Sequence, residues 1–575
     1  MSLKICYIWV AKFRNFQNFG INLSSQEEFT FIDNKLTKSK RDGIPEYFFG
    51  KDISDVTGFI GKNGTGKSNL LELVCMLVKG GKTSIDSDFF IIVKNNDNFI
   101  CHHRFEEFEK IEADFPISFI EYNGDLDNLK VVYFSNVFDE RTHIFDKKVS
   151  DLSANNRYPK YNWASRTKTS DFVKQVQFIR SEFFINSEIP IPKKVVVTPK
   201  INTYNPSYWQ RGLNSNYSKN QIFAEELKSF WSDINNLKPS KDKLYYFLLF
   251  GIITEVLNQT KEYISDIYSH DQSIEIYTEK LIDDVDQIKL TYKSKLEIAK
   301  KWRDWCKRVS SEVFRRDFQR RDFQIGIKNR RLKNELEDLK ESIRLLEKYE
   351  QFIDSKNLEI STEGSRNRKT EGYILEFNDS ASRLDEDFFN FMDRSNKFKL
   401  DWVGLSSGQK ANLDLFSLLR FEIKSIKADN VLICIDEGDL YLHPKWQADF
   451  FYKLIKLVPM FKSANYQFVL TSHSPFLVSD LPRQNLIFLS VNSNNQSIIA
   501  DQDKHIKTFG GNVGELYIDA FFMEGGLISR FAASKIQALI DKINNKVSLS
   551  EEDQFIINSI GDEFIKIHIE NLRNG

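Results

Sequence analysis

Cysteine is scarce: five in 575 residues, Cys6, Cys75, Cys101, Cys306 and Cys434, none in a CxxC spacing. That excludes a disulfide framework and a cysteine-built zinc site, and it points to a reducing compartment. Long hydrophobic runs are missing too. The longest, near Tyr245 to Val256, falls short of the roughly 20 residues that a membrane-spanning helix needs. The opening residues, Met-Ser-Leu-Lys-Ile-Cys-Tyr, form no secretory pattern. The expectation is a soluble cytoplasmic protein without a membrane partner. An excess of either charge is also absent, with 80 Lys and Arg against 81 Asp and Glu, so global charge selects no partner.

Apolar residues are plentiful. They make up 41% of the chain, with 49 phenylalanines, enough for a sizeable core. The length exceeds one ordinary domain, which sets a prior of about three to four units.

The chain is organised around Val56-Thr57-Gly58-Phe59-Ile60, an apolar run that enters a glycine-rich loop, Gly61-Lys62-Asn63-Gly64-Thr65-Gly66-Lys67-Ser68. Gly61, Gly66, Lys67 and Ser68 fill the fixed positions of GxxxxGK[ST]. Backbone N–H groups in such a loop close around phosphate oxygens, Lys67 reaches the β and γ phosphates, and Ser68 can ligate Mg²⁺. From Ser68-Asn69 the apolar spacing becomes helical through Leu70, Leu71, Leu73 and Val74, giving the strand, loop and helix that a phosphate cradle requires. The alternative is a plain glycine turn between a strand and a helix, which this context makes the weaker reading.

Three later stretches fit the same chemistry. Leu405-Ser406-Ser407-Gly408-Gln409 precedes a helical pattern, Ala411 through Leu419, so Ser406 to Gln409 fall at a helix N-terminus suited to a γ-phosphate. Alone, they read equally as a cap on a core helix. Val431-Leu432-Ile433-Cys434-Ile435 is a buried-strand run ending in Asp436 and Glu437, the first placed to hold Mg²⁺, the second to polarise an attacking water. Phe468-Val469-Leu470 delivers Thr471-Ser472-His473-Ser474-Pro475, where His473 can donate to a phosphate oxygen. All three lie at ends of predicted elements, where open α/β sheets bind ligands.

Between these motifs the texture changes. Further strands are expected at Phe89 to Val93, Ile117 to Tyr122, Lys130 to Phe134 and Gly372 to Phe377. Residues 136–220 show no clean periodicity and receive no fold assignment. From about Asn220 to Asp354 the pattern is helical, with Leu332, Leu336, Leu339, Ile343, Leu346, Tyr349 and Ile353 forming a short coiled-coil seam. Lys300 to Lys333 is strongly basic and interleaved with Trp302, Trp305, Phe314, Phe318 and Phe323. Contact with a nucleic-acid backbone, contact with an acidic partner, and a solvated helix with aromatics turned inward all remain open.

Taken together, GKNGTGKS, LSSGQ, VLICIDE and TSHSP resemble the ABC-type ATPase heads of transporters, SMC proteins and RecF-like repair ATPases. Ser407 replaces the second glycine of the usual LSGGQ. No glutamine-loop motif is present, and Ser135-Asn136 is only its positional counterpart. Phe13-Arg14-Asn15-Phe16 resembles the opening of RecF and SMC-like heads, where the arginine, here Arg14, can approach nucleotide. Asp436-Glu437-Gly438-Asp439-Leu440-Tyr441-Leu442-His443-Pro444 with Trp446-Gln447, and Thr508-Phe509-Gly510-Gly511-Asn512, resemble bacterial anti-phage defence ATPases, above all the Septu ATPase subunit and its retron-carried versions.

The resemblance implies an α/β fold: an ABC-type P-loop ATPase head of two lobes with a large, mainly helical insertion containing a short coiled coil. The implied boundaries are 1–135 and 370–522 for the lobes, 136–369 for the insertion (coiled coil near 330–354) and 523–575 for a helical tail. ATP and Mg²⁺ are the implied cofactors. A head-to-tail homodimer, or a higher assembly of dimers, would bring Ser406 and Gly408 of one copy to Gly61–Ser68 of the other. No Toprim or HNH pattern follows Pro475, so the implied effector is a separately encoded HNH nuclease, joined in retron versions by a reverse transcriptase and its RNA–DNA product. A RecF- or SMC-like repair ATPase that clamps DNA directly is the alternative, and a transporter motor the third reading.

Overall fold

The computed structural model describes residues 2–41, 44–80, 85–105, 111–141, 143–157, 170–200, 231–251, 358–365, 368–377, 383–394, 398–500, 507–520 and 528–574. The basic stretch Lys300–Lys333 and the seam from Leu332 to Ile353 lie outside them. The chain divides into two compact units, Met1–Pro159 with Ile426–Gly575, and Lys160–Ser425.

In chain order, the first unit opens with β1 (Leu3–Phe13), β2 (Phe16–Asn22), β3 (Glu27–Ile32), β4 (Lys35–Lys40), β5 (Ile53–Gly61) and α1 (Lys67–Lys79). It continues with β6 (Phe89–Asn95), β7 (Asn98–Arg104), β8 (Glu112–Ala113), β9 (Ser118–Glu121), β10 (Leu129–Ser135) and β11 (Val149–Asp151). The second unit supplies α2 (Asp171–Ile179), β12 (Lys194–Pro199), β13 (Leu358–Ser365), β14 (Arg368–Glu376), α3 (Arg383–Arg394), β15 (Phe398–Val403) and α4 (Ser407–Ser425). The chain then returns to the first unit for β16 (Asn430–Asp436), α5 (Pro444–Phe461), β17 (Asn465–Thr471), α6 (Pro475–Asp480), β18 (Leu486–Val491) and β19 (Ser497–Ile499). Four helices close it: α7 (Val513–Ala520), α8 (Arg530–Asn544), α9 (Glu551–Ser559) and α10 (Glu563–Asn574).

The first unit is built on a seven-stranded sheet of order β11-β10-β16-β17-β5-β18-β19, parallel except for β19, which runs antiparallel to β18. Apolar runs such as Val431–Ile435 and Phe468–Leu470 lack the polar alternation of a half-exposed strand, as expected where a parallel sheet is covered on both faces. Every residue of β16 is buried. The helix α1 is apolar nearly all round, and a helix of that kind belongs in an interior. Leu70, Leu73, Val74 and Leu77 share one core with Phe59, Val131, Leu432 and Val469 of the central sheet and with Ile5, Ile8 and Val10 of β1.

The strand β1 also belongs to a second sheet, β2-β1-β6-β7-β9. Its pairing with β6 shifts between Ile5 and Tyr7, a bulge that turns Cys6 and Tyr7 to the same side. Ile5, Ile8 and Val10 face the α1 core, while Cys6, Tyr7 and Trp9 join Phe29, Leu36 and Phe90 in another aromatic cluster.

Several side chains fasten the two sheets, among them Asn430 and Asn465 at Leu3 and the Lys4–Asp55 ion pair, and one of them, Gln467, holds Ile5. Gln467 of β17 accepts from the Ile5 N–H at 2.9 Å and donates to the Ile5 carbonyl at 2.8 Å and the Leu23 carbonyl at 3.3 Å. The amide has one donor and one acceptor end, so it satisfies both polar groups of Ile5.

The second unit holds a four-stranded sheet of order β13-β14-β12-β15. In it β12, from the stretch without sequence periodicity, pairs antiparallel with β14 and β15. Among the described residues no helix is long and apolar enough to cross a membrane.

Replacing Gln467 with leucine keeps the volume but strands the buried Ile5 N–H and carbonyl. At about 1–3 kcal/mol for each of the two unsatisfied groups, Gln467→Leu should lower unfolding free energy in urea by about 2–6 kcal/mol. A loss below about 1 kcal/mol would show that this amide contributes little to holding the sheets together.

Candidate functional site

Three adjacent strands of the first unit, β16, β17 and β5, end at the same edge of the central sheet because they are parallel and in register, with Asp436 opposite Thr471 and Thr471 opposite Phe59. Gly61–Ser68, Asp436–Glu437 and His473 are therefore brought together by the sheet itself.

The loop is held closed from outside. Gly66 has φ +91°, and a Cβ there would meet Asn15 Nδ2 at 2.6 Å and Ser497 Oγ at 2.9 Å. Ser497 donates to the Thr65 carbonyl at 2.6 Å and is itself bound by the Asn15 amide. Lys67 Nζ donates to the carbonyls of Gly61 at 2.9 Å and Lys62 at 3.2 Å. Burial depresses its ammonium to about 8, only partly offset by Glu437 and Asp436. Asn63 and Gly64 form the turn at the tip of the loop.

Asp436 is 4% exposed. One of its oxygens accepts from Thr471 at 2.6 Å and from Ser68 at 3.1 Å. Burial raises its carboxyl above the ordinary carboxylate range, against the hydrogen bond from Thr471. Glu437 sits at φ +48°, a costly conformation for a non-glycine residue. Its N–H is held by the Thr471 hydroxyl at 3.0 Å and carbonyl at 3.2 Å. Its Oε1 lies 3.4 Å from His473 Nε2, and the hydrogen bond from His473 lowers its carboxyl below the usual range despite burial.

These groups fit a magnesium-bound triphosphate. Among the described residues no cluster of three His, Cys, Asp or Glu could hold a metal by itself. Ser68 and Asp436 offer two oxygens, which suits Mg²⁺, an ion that takes its remaining positions from phosphate oxygens and water. Ser135 pairs in register with Asp436, and next to it the buried Asn136 Nδ2 has no hydrogen-bond partner.

Arg14, 44% exposed at the side chain, turns onto α1, donating to Asn69 at 2.6 Å and Glu72 at 2.7 Å. Asn69 in turn donates to Asn15 at 3.0 Å. In the second unit, the Ser406 N–H donates to Gln409 Oε1 at 2.8 Å and the Gln409 N–H to Ser406 Oγ at 3.3 Å. This reciprocal cap opens α4, with Ser406 and Ser407 exposed and Gly408 buried. Sequence reasoning missed Asn15, Glu72, Thr471 and Ser497. Asn15 and Thr471 stood inside motifs, Phe13-Arg14-Asn15-Phe16 and Thr471-Ser472-His473-Ser474-Pro475, but without an assigned role.

A phosphate ligand that binds the protonated Lys67 would raise its pKa again. Affinity is therefore full below the free-site value and falls as pH rises through it. Calorimetric titration with ATP from about pH 7 to about pH 9.5, in buffers of different ionisation heat, should show proton uptake and an affinity loss approaching tenfold per unit above about pH 8. A flat profile without proton uptake would contradict the depressed ammonium.

The family of AAA ATPase domains matches residues 3–478. The Retron Vc95 probable ATPase of Vibrio cholerae serotype O1 biovar El Tor is 30% identical over 172 residues, 28% of this chain and 30% of that protein. The Retron Ec83 probable ATPase of Escherichia coli is 33% identical over 101 residues, 16% of this chain and 18% of that protein. Septu protein PtuA of Bacillus thuringiensis is 31% identical over 127 residues, 20% of this chain and 31% of that protein. The chain thus aligns with less than a third of the length of each of these relatives. The family match is far broader: it runs through β5, β16 and β17 and the loops at their ends, and the chain belongs to the AAA ATPase domain family.

Proposed function

We propose that this chain binds and hydrolyses ATP as the regulatory subunit of an anti-phage defence system. The observation that carries the hydrolysis reading is the convergence of Lys67, Ser68, Asp436, Glu437 and His473 at one sheet edge. Relatives named for retron and Septu systems support the defence assignment.

In this reading Gly61–Ser68, with Asn69 at the start of α1, seat the phosphates. Lys67 neutralises the terminal ones, and Ser68 with Asp436 hold Mg²⁺, which supplies charge neutralisation when bound. Glu437, kept ionised by His473, accepts a proton from the attacking water, and His473 faces the γ-phosphoryl that is transferred to that water as ADP departs. Arg14 braces α1 beside the nucleotide.

The exposed Ser406 and Ser407 at the N-terminus of α4, with Gly408 and Gln409, serve the nucleotide of a second copy, so ATP occupancy stabilises a closed homodimer and hydrolysis relaxes it. The switch governs a separately encoded HNH nuclease, accompanied in retron versions by a reverse transcriptase with RNA–DNA. A second reading, a RecF- or SMC-like clamp on DNA, is favoured by the basic composition of Lys300–Lys333.

Glu437→Gln should slow turnover on the order of 10²-fold or more while ATP-dependent dimers, followed by light scattering, become long-lived. Unchanged turnover would remove Glu437 as base. Lys67→Ala should abolish ATP binding itself. Native purification separates the two biological readings: a stoichiometric nuclease supports defence, whereas salt-sensitive duplex DNA without a nuclease supports the clamp.

A further inference from the structure

Four polar side chains beside the Glu437–His473 pair have no part in the hydrolysis scheme, yet they close a ring. Asp439, buried in the turn after β16, accepts from Ser472 Oγ at 2.5 Å. Ser472 Oγ accepts from the Ser474 N–H at 2.8 Å. Ser474 Oγ donates to Gln447 Oε1 at 3.2 Å, and Gln447 Nε2 returns to the Asp439 carbonyl at 3.5 Å. Asp439, Ser472 and Ser474 are each at most 4% exposed.

The members of the ring flank Glu437 and His473 along the chain. Glu437 lies two positions before Asp439, and His473 stands between Ser472 and Ser474. Glu437 is at φ +48°, so its turn needs external restraint to persist. Gly438 offers no slack, since a Cβ there would meet Ile435 Cγ2 at 2.5 Å and Phe450 Cζ at 2.8 Å. The N–H of Glu437 is anchored to Thr471, which fixes the start of the turn. Its far side is fixed to the His473 loop through Asp439 and Gln447. Gln447 occupies the first turns of α5, whose N-terminus is capped by His443, so it connects a rigid helix to both loops.

We propose that Gln447 is a positioning residue for the Glu437–His473 pair. Its amide holds the Ser474 hydroxyl with one end and the Asp439 carbonyl with the other, setting the separation of the carboxylate and the imidazole. Touching neither the nucleotide cradle nor the metal oxygens, Gln447 acts on the chemical step and leaves ATP binding alone. The inference rests on the hydrolysis reading above.

The test compares Gln447→Ala, Gln447→Glu, Ser474→Ala and Ser474→Thr in the full chain, with Glu437→Gln alone and combined with Gln447→Ala. The expected result for Gln447→Ala is a kcat lower by roughly tenfold to a hundredfold, the scale of a misplacement near 1 Å, with ATP affinity within about twofold. Gln447→Glu keeps the acceptor for Ser474 but sets a carboxylate against the Asp439 carbonyl, and should fall as far. Ser474→Thr retains the hydroxyl and should restore the activity that Ser474→Ala loses. In the Glu437→Gln background, Gln447→Ala should add nothing, because both act through one group. A crystal structure of Gln447→Ala should show the carboxylate and imidazole further apart than the present 3.4 Å.

Unchanged kcat in Gln447→Ala, additive losses, or a parallel collapse of ATP affinity and melting temperature would each overturn the proposal while leaving Glu437 as base. If Glu437→Gln itself turns over normally, the parent reading fails and the positioning role fails with it.

Discussion

A carboxylate taken almost wholly out of water must be met by donors where it sits, and Asp436 is met by two hydroxyls from different parts of the chain. Ser68 comes from the first turn of α1 and Thr471 from the end of β17. Thr471 also holds the N–H of Glu437, so one side chain and its neighbours lock the phosphate loop, the acid pair and the histidine loop into a single arrangement. The charge of Lys67 completes it, pulled below its usual ammonium range by burial and partly restored by both acids.

The arrangement depends on the sheet more than on the loops. With β16 and β17 aligned in parallel and β17 parallel to β5, the functional residues need only end their strands to be neighbours. The sheet in turn depends on what lies beneath it. The helix α1, which carries Lys67 and Ser68, is enclosed by apolar side chains of two sheets, and Gln467 ties those sheets through the bulged start of β1. Movement of β1 would therefore reach the phosphate loop through Asn15 and Ser497, which brace Gly66 and the Thr65 carbonyl.

Much of the central sheet was legible beforehand because buried parallel strands and a glycine-rich loop write themselves in short contiguous patterns. The run Val56–Ile60 lies within β5, Lys130–Phe134 within β10 and Val431–Ile435 within β16. The stretch around Lys194–Pro199 was not legible. Its six residues, Lys-Val-Val-Val-Thr-Pro, show no alternation of polar and apolar side chains although their burial alternates, and its partners in β14 and β15 lie far along the chain. A strand of that kind is defined by what it pairs with rather than by its own composition.

From the sequence alone came the identity of the phosphate loop, the acid pair, the histidine and the capped helix at Ser406, together with the expectation that the first three share one edge of a sheet. Each is a local pattern whose chemistry depends on residue types at fixed spacing. Only the tertiary structure decided that Asp436 takes its hydroxyls from Ser68 and Thr471, that Arg14 turns to Glu72, and that Gln447 joins Ser474 to Asp439. Such contacts join single polar residues separated by 8 to 368 positions. A lone serine or glutamine leaves no periodic trace in a sequence, and its partner is set by strand register and burial once the chain has folded.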